Sequence, residues 1–144
     1  MTHRKLNRLL EAIVIGLTVP TFAIAAGMTS SEYSAAKDRA AAEYKAAKTQ
    51  CDGLKANAKD ICVAEAKAAE KKAKANAEAQ YKNTDKARQD AAITAAKADY
   101  DVAKEKCDDQ KGDAKSACEK QAKADESKAK ADIRAMKPTS AKTQ

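Results

Sequence analysis

The stretch Cys51-Asp-Gly-Leu-Lys-Ala-Asn-Ala-Lys-Asp-Ile-Cys62 interrupts a chain that otherwise reads as helix, and the architecture follows from how it is read. Gly53 reads as a helix terminator. Asn57, followed three residues later by Asp60, reads as a new start, with an N-cap side chain and an acid near the positive end of the helix dipole. Two helices joined by so short a loop run antiparallel, as an αα-hairpin, and this sets Cys51 at the end of one helix against Cys62 at the start of the next. A disulfide across the hairpin tip is the consequence. The alternative is one unbroken helix over residues 30–80. Cysteines 11 positions apart would then share a face about 16 Å from each other at a rise of 1.5 Å per residue. That is too far for a bond that needs Cα atoms within roughly 7 Å. The glycine and capping signals favour the hairpin.

The same stretch occurs twice. Tyr44, Cys51, Asp52, Lys55, Ala58, Lys59, Cys62, Ala66 and Lys67 recur, at an offset of 56 residues, as Tyr100, Cys107, Asp108, Lys111, Ala114, Lys115, Cys118, Ala122 and Lys123. In the second copy the break is written Gly112, Asp113 and Ser116. The chain is therefore two copies of one unit. Four cysteines permit three connectivities, and the hairpin reading pairs Cys51 with Cys62 and Cys107 with Cys118. Each closed ring stabilises the folded state by about 3 kcal/mol in the chain-entropy estimate.

Outward from the cysteines, alanine fills 36 of the 144 positions, and lysine, glutamate, glutamine and arginine supply most of the rest. These are strong helix formers, and alanine loses no side-chain entropy on folding. Tyr33, Ala36, Ala40, Tyr44, Ala47, Cys51 and Leu54 step by three or four and form one stripe. Ala58, Cys62, Ala66, Ala69, Ala73, Ala77 and Tyr81 form a second. Both are narrow and made mostly of methyl groups. Beyond residue 25 the chain has no Phe, Trp or His and few large aliphatic side chains, so a conventional globular core is not expected. The expected fold is all-α: two tandem disulfide-stapled antiparallel hairpins, up-down-up-down, with three arrangements open to them: an elongated four-helix arrangement, hairpins end to end, or pairing with a second chain. Hairpin one spans residues 26–82 and hairpin two 83–137; the join falls around Lys82 to Asp85, where either Thr84 or Asp85 caps the next helix or, with neither proline nor glycine in the segment, the two helices run together. Lys137-Pro138 stops the last helix, and residues 138–144 form a disordered tail.

Residues 1–25 read as an address. Arg4, Lys5 and Arg8 precede an apolar run from Ala12 to Ile24, and Ala23-Ile24-Ala25 offers small residues at the cleavage spacing. The run is shorter than the ~20 apolar residues a membrane-spanning helix needs. A cleaved signal peptide and a periplasmic location are expected, and an exported chain uses cysteine pairs as disulfides.

Other uses of these residues are disfavoured by spacing. A four-thiolate zinc site brings its cysteines in pairs two to four residues apart, whereas ten residues separate the members of each pair here. A thioredoxin-like centre needs Cys-x-x-Cys, which does not occur. With no imidazole past residue 25, His chemistry is excluded there. The acids alternate with lysines along the helices and read as solvated charge faces. No catalytic residues, cofactor or metal are expected. Past residue 25 the chain keeps 25 basic and 20 acidic residues, a net charge of about +5 spread through both signs. Nucleic acid is not an expected partner, because the bases are interleaved with acids instead of gathered on one face. An anionic envelope surface, lipid or lipopolysaccharide, or a helical protein partner fits better.

Tyr44-Lys-Ala-Ala-Lys, the Cys51–Cys62 stretch and Asp99-Tyr-Asp-Val-Ala-Lys-Glu-Lys-Cys-Asp resemble a group of small exported, Ala/Lys-rich, cysteine-containing proteins of Gram-negative bacteria labelled TolA-like cell envelope proteins. The resemblance covers nearly all of the chain past the leader and implies a periplasmic setting, with no activity attached. A fainter likeness links Tyr33 to Tyr44 with the 11-residue Ala/Lys/Glu repeats of late-embryogenesis-abundant proteins, and implies a protective role. The expected function is a non-enzymatic structural or stress-protective helical protein of the envelope. The alternative is a basic helical module binding an anionic envelope component or a partner helix.

Overall fold

Thr29 begins the first helix through a capping box. Its hydroxyl accepts from the Glu32 backbone N–H, and the Glu32 carboxylate accepts from the Thr29 N–H at 2.8 Å. From there the chain, described over residues 27–136 in a computed structural model, is helical nearly throughout. The elements are α1 (Ser30–Cys51), α2 (Ala56–Lys82), α3 (Asp85–Cys107) and α4 (Gly112–Ala135). The expected leader over 1–25, the Lys137-Pro138 stop and the expected tail over 138–144 lie outside the described residues.

The two tips are built alike. α1 and α3 end at Cys51 and Cys107, and α2 and α4 restart after Lys55 and Lys111 without a side-chain cap. Asn57 is therefore not the N-cap that its position in the sequence suggested. It lies inside α2, and its side-chain amide donates to the Glu105 carbonyl at 3.0 Å, tying the two hairpins together. The chain turns into α2 through Ala56 at φ 48° and into α4 through the equivalent Gly112 at φ 56°. The join between copies is a tight turn. Asn83 ends α2 in the left-handed conformation, and the Thr84 hydroxyl accepts from Ala87 N–H at 3.1 Å, as the sequence suggested for Thr84.

Each helix packs on its sequence neighbours alone. α1 contacts α2, α2 contacts α3, α3 contacts α4, and among the described residues no contact joins α1 to α3 or α4, or α2 to α4. The four helices form one open antiparallel row instead of a closed bundle, and the most extensive seam is α2–α3, between the copies. This order puts both disulfides at one end of the row and the Asn83-Thr84 turn at the other.

The core is methyl groups. Among the described residues the buried apolar ones are nine alanines and two cysteines, while Ile61, Val63, Ile93, Val102 and Ile133 are only half-buried. In α1 the expected stripe is buried or half-buried from Tyr33 to Cys51. Leu54, 43% exposed, departs from it, because the helix ends at Cys51 and the three-residue step no longer keeps a common face. In α2, Cys62, Ala66, Ala73 and Ala77 hold the expected stripe, whereas Ala58, Ala69 and Tyr81 are exposed. α2 has two neighbours, so it buries a second stripe, including Ala68, Ala75 and Ala79, against α3. At the end away from the staples, the hairpins close differently. Tyr33 stacks on Tyr81 with ring centroids 4.8 Å apart, and in the second copy Gln89 donates to the Ile133 carbonyl at 3.0 Å.

Candidate functional site at the stapled tips

The sequence singles out Cys51, Cys62, Cys107 and Cys118, and the structure joins them as expected. Cys51 bonds Cys62 and Cys107 bonds Cys118, each with Cα atoms 5.6 Å apart. Cys51 and Cys107 are fully buried at the ends of α1 and α3, while Cys62 and Cys118 sit half-buried nearly two turns into α2 and α4. Access for an attacking thiolate is thus limited to one sulfur of each pair.

Charge locks the same turns. Lys59 Nζ lies 2.9 Å from Asp52, and the equivalent Lys115 lies 2.7 Å from Asp108. The Lys59 ammonium, by hydrogen bond and then by charge, holds the Asp52 carboxyl below the usual carboxylate range. Asp108 in the same way pushes the Lys115 ammonium up. In each turn a backbone N–H reaches back to the cysteine carbonyl at 3.0 Å, from Leu54 to Cys51 and from Gln110 to Cys107. Disulfide, ion pair and turn are reproduced in both tips.

One acid departs from the expected solvated charge face. Glu126, on α4, is 6% exposed and lies between Lys123 at 2.7 Å and Lys130, while Lys123 Nζ sits 5.0 Å from the centre of the Tyr100 ring. Hydrogen bonds from Lys123 and then Lys130 hold its carboxyl below the ordinary range. A lowered carboxyl with both oxygens occupied is a fixed anion in an ion cluster and is not poised as a general acid. The sequence signal was Lys at three residues before and four after Glu126, close enough on a helix to bracket one carboxylate.

The surface offers open grooves. One of about 370 Å³ runs between α2 and α3, where Lys67, Lys71 and Lys104 alternate with Asp60, Asp101 and Glu105. Both signs are interleaved there, and Lys71 and Asp101 pair at 2.6 Å. Among the described residues no group of three or more His, Cys, Asp or Glu is placed to hold a metal ion, and no helix is long and apolar enough to cross a membrane. What the site can do is hold two hairpins closed at one end of a helical row. Comparison of the chain with protein-family models, with characterised proteins and with solved structures finds no match.

Proposed function

We propose that the protein is a non-enzymatic structural element of a bacterial cell envelope, exported to the periplasm, in which the stapled helical row serves as a rigid spacer and protective helical surface. The observation that carries this reading is the duplicated tip. The same disulfide and the same Lys–Asp lock close equivalent hairpins at one end of the row. Two covalent staples in a chain with an alanine core supply stiffness that packing alone would not. Disulfides of this kind persist in oxidising compartments, which supports the export reading of residues 1–25.

The test is made in a Gram-negative host. Osmotic-shock fractionation with thiol labelling is expected to find the chain in the periplasmic fraction, with both disulfides formed. A deletion strain is expected to survive drying and envelope-damaging detergent less well. Wild-type protein should restore survival, and a variant with all four cysteines changed to serine should not. Reduced protein in the cytoplasmic fraction, or a stoichiometric small-molecule ligand found by calorimetry, would overturn the reading.

A further inference from the structure

The two copies can be compared position by position, and they differ in what covers them. On α2, Ala68, Ala75 and Ala79 are buried or half-buried against α3, and on α3, Ala91 and Ala98 are 6% and 0% exposed against α2. Adding 56 residues to the α2 positions gives Ala124, Ala131 and Ala135 on α4, and subtracting 56 from the α3 positions gives Ala35 and Ala42 on α1. All five keep the alanine and all five are exposed. The outer helices thus carry most of the small-residue part of an interface that the chain already forms once, internally, between its copies, while Ala64 and Ala87 of that seam map onto Lys120 and Ser31.

We infer that the exposed α4 face of one molecule docks on the exposed α1 face of a second copy, repeating the α2–α3 seam and extending the helical row head to tail. The polar residues flanking the seam support that occupant. The Lys72–Asp99 ion pair across α2–α3 maps onto Lys128 and Glu43, again opposite charges. The Lys106–Glu65 pair, 2.8 Å apart, maps onto Gln50 and Gln121, two amides able to hydrogen-bond each other. The Lys71–Asp101 and Asn57–Glu105 links have no counterpart, since the equivalent positions hold Ser127, Lys45, Asp113 and Thr49. Lys128 must also exchange its present partner Asp132, 2.7 Å away on the same helix. The joint between molecules is accordingly weaker than the internal seam, which also has the Asn83-Thr84 turn to hold it. Because the two faces differ, the contact is heterologous and does not close on itself at a dimer. This docking draws on the matched alanine faces and the polar pairs flanking them, and is independent of compartment or cellular role.

Sedimentation velocity on the full disulfide-bonded protein, from micromolar to millimolar, tests it. The average mass of the wild type is expected to rise steadily past dimer. Ala42→Glu spoils only the α1 face and Ala124→Glu only the α4 face, and each alone should weaken association by about tenfold or more. Mixed in equal amounts, the two variants each retain one good face, so they should pair one-to-one and stop there. Both sites are exposed, and circular dichroism melts check that the variants fold. Independently of folding at those sites, Glu43→Lys and Lys128→Glu should each weaken association, and a protein carrying both should regain it. A wild type monomeric at millimolar concentration, a mass that levels off at dimer, variants that associate like wild type, or a mixture that fails to pair would each overturn the inference.

Discussion

Ala56 and Gly112 occupy the same place in the two copies with the same left-handed backbone, at φ 48° and 56°. A side chain in that region costs roughly 1–2 kcal/mol, and glycine is spared it. Nothing lies within 4 Å of a Cβ built on Gly112, so conformation alone decides the effect of substitution there. Ala56→Gly is expected to stabilise the protein and Gly112→Ala to destabilise it, each by about 1 kcal/mol, read as opposite shifts of the urea midpoint. Glu126 carries a pH dependence. Its carboxyl, like those of Asp52 and Glu32, is held below its ordinary range in the folded chain, by Lys123 and Lys130, by Lys59 and by Thr29 respectively. Lowered folded values mean that the associated stability is present above the unfolded value, about 4.3 for glutamate and 3.9 for aspartate, and is lost as pH falls through the folded values. Thermal melts should therefore be flat from neutral to about pH 5 and decline below it. Glu126→Gln should melt lower at neutral pH and decline less steeply in acid. The cysteine pairing was legible because geometry allows a bond only if the chain turns between the two residues. The burial of Glu126 was not, because it depends on which side of α4 is turned toward α3, and spacing along one helix does not fix that.

A stripe of small residues marks a buried face, but one helix can carry two. In α1, which has a single neighbour, the spacing from Tyr33 to Cys51 identified the covered side. In α2 it identified only the side facing α1, since Ala68, Ala75 and Ala79 fall between the residues of the first stripe and alanine is too common in this chain to stand out. The α2–α3 seam was missed for that reason, although Asn83 and Thr84 spell a left-handed helix end followed by a cap. The staples matter most where neighbours are fewest. Replacing Cys107 and Cys118 together by serine is expected to lower stability by about 3 kcal/mol, chiefly by freeing the unfolded chain. Hydrogen exchange in that variant should accelerate more in α4, which contacts only α3, than in α2.

An open row has inner and outer members. α2 and α3 are each covered on two sides and α1 and α4 on one, so native-state hydrogen exchange should find the slowest amides in the middle pair. Equal protection across the four helices in dilute solution would mean that the row closes on itself. The alanine core has a further, thermal consequence. Where most domains bury isobutyl and aromatic groups, this one buries mainly methyls, with the largest aliphatic side chains half in water already. Unfolding therefore hydrates little new apolar surface, and calorimetry should give a heat-capacity increment per residue below the usual ~12–15 cal/mol/K. A small increment flattens the curve of stability against temperature, so the stapled row should hold nearly constant stability as it is cooled, in a range where a domain with a larger apolar core would already be losing its own.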